Sequence, residues 1–146
     1  TRLIYVDSLS NPTLRVADIP ALARVARRHG IPLVVDNTFS PLILSPVDHG
    51  ADIVVHSITK FISGMSDLIA GAVCGTSEFI ESLMDLHEGR VMLLGPTMDP
   101  RTAFDIIQRI PHLAVRMREH GRRALSIALH RAEAEAGVAV VAVAVS

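Results

Sequence analysis

The sequence predicts an α/β fold, a three-layer sandwich built on a mostly parallel β-sheet. Two observations lead to this class. Short, continuous apolar runs alternate with helical segments, which is typical of strands buried on both faces of a parallel sheet. Hydrophobic residues make up 49% and charged residues 20% of the 146 residues, as in a protein with a packed core. Because no repeat or linker interrupts the chain, we expect residues 1–146 to form a single domain.

The strands are predicted from apolar runs bounded by turn residues. They are expected at residues 3–7, 31–36, 52–56 and 69–75. The helices are predicted from amphipathic spacing and capping residues. They are expected at residues 18–28, 46–49, 77–89, 101–109 and 112–136. Asp18 is the expected N-cap of the first helix and Gly30 its end. Gly121 is expected to soften or break the last helix.

Both ends of the sequence are unusual. The chain begins at Thr1 and enters an apolar run at once, which indicates a cut edge. Residues 137–146 are an uncharged, low-complexity run of valine and alanine. We therefore expect a fragment of a longer protein that ends in an atypical tail.

Composition excludes several classes of function. The net charge of −1 gives no reason to expect a nucleic acid or an anionic membrane as partner. No apolar run approaches the roughly 20 residues that span a bilayer. The single cysteine, Cys74, is expected to be an inert core thiol and favours a reducing, cytoplasmic location. His49 and Asp52 belong to no coherent ligand set, so no metal site is predicted.

Two polar clusters follow the predicted second and third strands. Asp36-Asn37-Thr38 ends one strand, and the run from His56 to Lys60 ends the next. Ligands of open α/β sheets bind at the carboxyl ends of the strands, so these groups should meet at one edge. Asp36 and Lys60 could form a structural ion pair there. Alternatively, a lysine shielded from water becomes a nucleophilic amine that forms Schiff bases, with pyridoxal phosphate above all.

The amino-acid sequences around these clusters resemble those of a known family. Val-Asp-Asn-Thr-Phe stands at 35–39, and Gly-Ala-Asp-Ile-Val-Val-His-Ser-Ile-Thr-Lys-Phe-Ile-Ser-Gly at 50–64. Ser-Asn-Pro-Thr stands at 10–13, Met-Leu-Leu-Gly-Pro-Thr-Met at 92–98 and Arg-Ile-Pro-His-Leu at 109–113. Together they resemble the Cys/Met-metabolism (trans-sulfuration) family of pyridoxal-phosphate enzymes, and most of all its plant-type methionine γ-lyase branch. The resemblance runs from about residue 3 to 125.

The resemblance implies a fold and a set of residue roles. The chain would be part of the large domain of a fold-type I, aspartate aminotransferase-like enzyme. Lys60 would hold pyridoxal 5'-phosphate covalently and move protons on the substrate. Asp36 would bond the protonated pyridine nitrogen, while Ser57 and Thr59 would bind the phosphate.

Two further residues receive weaker assignments from the resemblance. Asn11 would lie near the cofactor's phenolic oxygen and the substrate carboxylate, and its bond to Pro12 is expected to be cis. Thr38 is expected to support the site from behind, or else to make only a local turn contact.

The resemblance also implies a reaction and partners. A small sulfur amino acid would be the substrate, and the reaction that fits best is α,γ-elimination of L-methionine to methanethiol, 2-oxobutanoate and ammonia. The alternatives are cystathionine γ-synthase, cystathionine γ-lyase or O-acetylhomoserine sulfhydrylase chemistry, or an inactive fragment that serves only in subunit association. The chain alone is expected to be inactive, and the family's homotetramers imply self-association.

Some residues near the motifs are predicted to have structural or solvated roles. His56 ends a buried strand, so we expect a hydrogen-bonded core histidine. A charged face of the last helix is expected to be solvated or to contact another subunit. Its residues are Arg116, Arg118, Arg122 and Arg123.

Overall fold

The computed structural model describes residues 1–136, so the predicted tail at 137–146 lies outside the described residues. The strands are β1 (Ile4–Asp7), β2 (Leu33–Asp36), β3 (Ile53–Ser57) and β4 (Gly71–Cys74). The helices are α1 (Ile19–Arg28), α2 (Ser77–Met84), α3 (Arg90–Leu94), α4 (Pro100–Arg109) and α5 (Leu113–Ala136). Short 3-10 helices stand at Pro46–His49 and Ile110–His112, and a π-helical turn at Ile58–Ile62.

The four strands form one mixed sheet in the order β1-β2-β3-β4. β1, β2 and β3 are parallel, and β4 runs antiparallel to β3. In the parallel part, Val6 pairs with Val35 and Val35 with Val54. The α/β class and the mostly parallel sheet are therefore confirmed.

Helix α1 covers one face of this sheet. The Asp18 carboxylate accepts a hydrogen bond from the Ala21 amide at 2.9 Å, which caps the helix as predicted. The spacing of apolar residues along α1 directs them toward the strands and produces the main core. This core contains Ile19, Ala23, Ala26, Leu33, Val35, Ala51 and Val54, each at most 6% exposed.

Helices α2 and α3 lie at the other face, beside β4. Val73 of β4 pairs with Val55, whose side chain points away from α1. Val73 also lines a cleft together with Ile80, Leu83 and Val91 of the two helices. The sheet thus has helices on both faces, as a layered α/β fold requires.

Two predicted elements differ from the structure. The helix expected at 77–89 ends at Met84, because the Asp85 carboxylate accepts hydrogen bonds from the His87 and Glu88 amides and forms a turn instead. Helix α5 is continuous through Gly121. Ion pairs from Glu119 to Arg122 and Arg123 span the glycine and help to offset the roughly 1 kcal/mol that it costs.

The prediction that Cys74 is a core thiol is wrong. Cys74 is exposed, because β4 is an edge strand of the described sheet and its end is not covered. No helix within residues 1–136 combines the length and apolar character that crossing a membrane requires.

Candidate active site

The carboxyl ends of β2 and β3 meet at one edge of the sheet. Asp36 ends β2 and Ser57 ends β3, and the two strands are parallel neighbours. The Thr38 hydroxyl accepts a hydrogen bond from the Ser57 amide at 2.8 Å, and the Thr38 amide donates to Asp36 Oδ1 at 2.9 Å. Thr38 therefore connects the two polar clusters rather than making only a local turn contact.

The Asp36 carboxylate is held ionised by its neighbours. Burial opposes ionisation, but hydrogen bonds from the Thr38 side chain and amide, a hydrogen bond from Tyr5 and the nearby His56 outweigh it and lower the pKa of Asp36. Oδ1 accepts from the Thr38 amide at 2.9 Å and Oδ2 from the Tyr5 hydroxyl at 2.8 Å. A carboxylate has about four acceptor sites, so Asp36 can still accept a further donor.

Tyr5 reaches Asp36 from the neighbouring strand. Its partner across the β1–β2 ladder is Val34, so Tyr5 and Asp36 lie on the face opposite α1. Burial of the phenol, the hydrogen bond to Asp36 and the negative charges of Asp36 and Asp7 raise the pKa of Tyr5 to about 12. The phenol thus remains a donor to Asp36 over the whole physiological range.

Lys60 lies in the π-helical turn that follows β3. Its backbone (φ −88°, ψ −117°) departs from helical geometry inside that turn, and its side chain is exposed. Lys60 is also the only lysine of the chain. No ion pair joins it to Asp36 among residues 1–136, so the structure does not support the ion-pair alternative.

Ser57 and Thr59 flank Ile58 at the start of the same turn. The Thr59 hydroxyl accepts a hydrogen bond from the Ala70 amide at 3.0 Å and lies 3.2 Å from the Ala70 carbonyl. These bonds fix the turn to the segment that leads into β4. The structure therefore places both predicted phosphate-binding residues at the edge that carries Lys60 and Asp36.

Asn11 lies in the loop after β1, at the same edge of the sheet but apart from the bonded cluster. Its peptide bond to Pro12 is cis, as predicted. The loop is closed by Ser10, whose hydroxyl contacts Thr13 Oγ1 at 2.6 Å and accepts from the Arg15 amide at 2.9 Å. The Asn11 side chain is exposed and is in no hydrogen bond within the described part of the chain.

The prediction for His56 is only half correct. His56 is partly buried, but its Nδ1 is buried without a hydrogen-bond partner among the described residues. Burial lowers the pKa of His56, against the opposing effects of the Asn37 backbone and the Asp36 carboxylate. The neutral form of the His56 imidazole is therefore favoured, close to the Asp36 carboxylate.

Arg116 contradicts the prediction of a solvated arginine. Its guanidinium donates to the Phe61 carbonyl at 2.5 Å and to the Ile62 carbonyl at 2.8 Å, directly after Lys60. By contrast, Arg118 is exposed, and Arg122 and Arg123 pair on the surface with Glu119, as expected for a charged face. The helical spacing of apolar residues could have indicated this position. Arg116 follows Leu113 by three positions and precedes Met117, and both of these residues are buried, so Arg116 lies on the inward face of α5.

Arg109 is the second arginine that sequence reasoning missed. Its guanidinium forms a bidentate pair with Asp67 at 2.6 and 2.8 Å and donates to the Ser63 hydroxyl at 2.7 Å. The pairing lowers the pKa of Asp67 and raises that of Arg109. The segment after Lys60 is therefore held from two helices.

The groups at this edge match the requirements of one kind of cofactor. An exposed amine can condense with an aldehyde, a carboxylate that stays ionised can pair with a protonated ring nitrogen, and hydroxyls and amides can bind a phosphate. Asp36 has free lone pairs, and Lys60 has no competing ion pair in the described residues. The donor set therefore fits pyridoxal phosphate. No group of three or more potential metal ligands occurs among the described side chains, which end at residue 128.

Comparison with known proteins identifies the family. The family model described as Cys/Met metabolism PLP-dependent enzyme matches residues 1–144. Methionine γ-lyase from Arabidopsis thaliana is 58% identical over 124 residues, covering 85% of this chain and 28% of that protein. The chain therefore belongs to the Cys/Met-metabolism family of pyridoxal-phosphate-dependent enzymes, a family of carbon–sulfur lyases.

Solved structures agree with this assignment. Cystathionine γ-synthase from Xanthomonas oryzae pv. oryzae superimposes with a TM-score of 0.80 at 36% identity, over 94% of this chain and 34% of that one. A structure assigned as an O-acetylhomoserine (thiol)-lyase from Campylobacter jejuni has a TM-score of 0.76 at 28% identity, over 87% of this chain and 39% of that one, and carries a pyridoxyl-lysine monophosphate residue. The fold is thus part of the large domain of fold-type I enzymes, and the chain spans about a third of the length of these relatives.

Proposed function

We propose that the protein to which these residues belong catalyses the α,γ-elimination of L-methionine to methanethiol, 2-oxobutanoate and ammonia. The observation that carries the proposal is the position of the only lysine at the sheet edge where Asp36 is held as an anion. The choice of methionine as substrate is supported by the 58% identity to the Arabidopsis methionine γ-lyase.

The residues divide the chemical work by the groups they carry. When bound, pyridoxal phosphate supplies an electron sink for the negative charge that develops on the substrate Cα. Lys60 Nζ would hold the cofactor, and its amine, when free, would remove the Cα proton and carry protons to neighbouring substrate atoms. Asp36 would keep the pyridine nitrogen protonated, because its own pKa lies below its usual range.

The remaining residues bind and orient. Ser57 and Thr59 contribute donors for the phosphate, with Thr59 also anchored to Ala70. Asn11 stands at the same edge on the loop after β1 and is assigned to the phenolic oxygen of the cofactor and the carboxylate of the substrate. Thr38 orients both Asp36 and the Ser57 amide through its two hydrogen bonds.

A product assay on the whole protein tests the proposal. Pyridoxal phosphate and L-methionine are added, and methanethiol and 2-oxobutanoate are measured against the Lys60→Arg variant, which keeps the positive charge but cannot serve as the amine. We expect both products in a 1:1 ratio from the native protein and none above background from the variant. Turnover by Lys60→Arg at near-native rate would refute the assigned role of Lys60.

The alternative reactions would use the same cofactor site with a different substrate. Relatives of this chain include a cystathionine γ-synthase at TM-score 0.80 and a cystathionine γ-lyase at 0.77. The same assay is therefore repeated with cystathionine, and with an O-acylated homoserine plus a thiol donor. Cystathionine formation, cystathionine cleavage or thiol addition at a higher rate than methionine elimination would assign the protein to one of those branches.

Self-association is proposed alongside the activity. Many large apolar side chains of the described region are exposed, among them Val16, Ile69 and Leu94 at 77%, 92% and 81%. Such a surface is normally covered by protein. We propose a homo-oligomer, with a tetramer as the expected form, which sedimentation of the whole protein tests against a monomer. The single-domain organisation and the cytoplasmic location stay predictions.

A further inference from the structure

We propose that Arg116 is a positioning residue for Lys60, which holds the turn that presents the lysine amine at the sheet edge. Arg116 contributes no atom to the cofactor-binding groups described above. It acts through the main chain of the two residues that follow Lys60. The inference rests on the proposed role of Lys60, and its test below separates the two.

The contact is made with backbone carbonyls at the end of a short turn. One guanidinium nitrogen of Arg116 donates to the Phe61 carbonyl at 2.5 Å and the other to the Ile62 carbonyl at 2.8 Å. The turn comprises only Ile58–Ile62, so its last carbonyls have no continuing helix to bond them. No backbone amide in residues 1–136 takes their place. The guanidinium completes the turn with charge-assisted hydrogen bonds, which are stronger than neutral ones.

The Thr59–Ala70 hydrogen bonds hold the turn on the amino side of Lys60, whereas on the carboxyl side the turn has few hydrogen bonds of its own. The Ser63 amide donates to the Ile58 carbonyl at 2.8 Å and the Gly64 amide to the Lys60 carbonyl at 2.7 Å. Lys60 itself has non-helical backbone angles, and no described contact holds its exposed side chain. The direction of the lysine side chain is therefore set by the backbone, which Arg116 fixes on its carboxyl side.

Gly64 fits this arrangement by leaving room for the arginine. A Cβ atom on Gly64 would overlap the Arg116 guanidinium, and Gly64 has φ +76°. The residue thus needs both the small size and the backbone freedom of glycine. The close approach brings the arginine against the main chain of the turn.

The same helix makes a second contact with the turn. The Phe61 ring packs edge-on against the His120 ring, with centroids 5.4 Å apart and an interplanar angle of 84°. His120 lies four residues after Arg116, on the same side of α5. Helix α5 therefore contacts Phe61, the residue after Lys60, in two ways: Arg116 bonds to the Phe61 carbonyl, and His120 packs against the Phe61 ring.

The test reads the pyridoxyl group on the peptide that contains Lys60, which is the only lysine of residues 1–146. Native protein, Arg116→Ala, Arg116→Lys and the matched control Arg118→Ala are incubated with pyridoxal phosphate, and samples are reduced with borohydride at timed intervals. Mass spectrometry gives the rate of pyridoxyl labelling at Lys60. Arg118 is exposed on the same helix and makes no described contact with the turn.

We expect labelling of Lys60 to slow by about tenfold or more in Arg116→Ala, since two charge-assisted hydrogen bonds are lost, and to change less than about twofold in Arg118→Ala. Arg116→Lys should give an intermediate rate, because an ammonium cannot reproduce the two parallel bonds of the guanidinium. Added methylguanidinium should accelerate labelling of Arg116→Ala, whereas methylammonium at the same concentration should not.

Hydrogen–deuterium exchange of the peptide covering residues 58–66 tests, without any cofactor, whether Arg116 holds the turn. Faster exchange there in Arg116→Ala than in Arg118→Ala, with unchanged circular dichroism, supports the inference. Equal exchange and equal labelling rates in the two variants overturn it. Absence of Lys60 labelling in the native protein would instead reject the proposed role of Lys60, while the exchange data would still decide whether Arg116 holds the turn.

Discussion

The hydroxyl of Thr38 accepts a hydrogen bond from the amide of Ser57 at 2.8 Å, and this bond ties the loop after β2 to the end of β3. The Thr38 amide donates in turn to Asp36. Thr38 therefore sets the distance between the carboxylate at one strand end and the turn that carries Lys60.

Replacement of Thr38 tests this link. Thr38→Val keeps the shape but leaves the Ser57 amide without its acceptor, so we expect the free energy of unfolding in urea to fall by about 1–2 kcal/mol. Thr38→Ser keeps the hydroxyl and serves as the control, with a smaller loss. A loss in Thr38→Ser as large as that in Thr38→Val would show that the hydroxyl contributes no more than the methyl group, and would contradict the role given to the hydrogen bond.

Tyr5 is the only tyrosine of residues 1–146, which contain no tryptophan, so a phenol titration of these residues follows Tyr5 alone. Burial and the Asp36 hydrogen bond raise the pKa of Tyr5 to about 12, from 10.0. The phenol therefore stabilises the fold fully below pH 10, and this contribution is lost as the pH rises toward 12. We expect absorbance at the tyrosinate band to rise with a midpoint near 12 in the native protein.

The same titration of Asp36→Asn identifies the cause. The substitution removes the charged acceptor while leaving the phenol in place, so its midpoint should lie between 10.0 and about 12. Circular dichroism recorded through the titration shows whether the fold persists over that range. A native midpoint near 10 with the fold intact would show that Tyr5 does not donate to Asp36.

Gly64 should tolerate alanine less well than a comparable glycine does. Gly64 and Gly30 both have positive φ, at +76° and +58°, but only Gly64 faces a neighbouring group, the Arg116 guanidinium. Gly30→Ala should cost about 1 kcal/mol of unfolding free energy for its backbone conformation alone. Gly64→Ala should cost more and should also slow labelling of Lys60. Equal costs and an unchanged labelling rate would contradict the close packing of Arg116.

Asp36 should be needed for cofactor affinity as well as for reactivity. Asp36→Asn removes the anion that pairs with the pyridine nitrogen, so we expect pyridoxal phosphate to bind at least about tenfold more weakly in equilibrium dialysis. Asp7→Asn removes the same charge one strand away, at the position that pairs with Asp36 in the sheet register, and should change affinity much less. Similar losses in both variants would indicate a general effect of negative charge.

The parts of the site that sequence reasoning could predict lie close together along the chain. Asp36, Thr38, Ser57 and Lys60 each follow an apolar run, and parallel strands carry such residues to one edge. The capped helix α1 was predictable for a similar reason, since Asp18 and Gly30 are local signals.

The parts that it missed depend on distant contacts. Tyr5 and Asp36 are 31 residues apart, and their hydrogen bond depends on the order and register of β1 and β2. Arg116 and Phe61 are 55 apart, and the arginine bonds to main-chain carbonyls, which no sequence motif marks. Cys74 was predicted to be buried because an apolar run does not reveal that its strand lies at an edge of the described sheet.

The most direct measurement of the central claim is borohydride reduction of the protein with pyridoxal phosphate, followed by peptide mapping. Lys60 is the only lysine of residues 1–146, and Lys60→Arg removes its amine while leaving every other amine of the protein in place as the control. The account predicts a pyridoxyl group on the peptide that contains Lys60, and its loss in Lys60→Arg. Labelling of other amines only, unchanged in Lys60→Arg, would contradict the assignment of this sheet edge as the cofactor site.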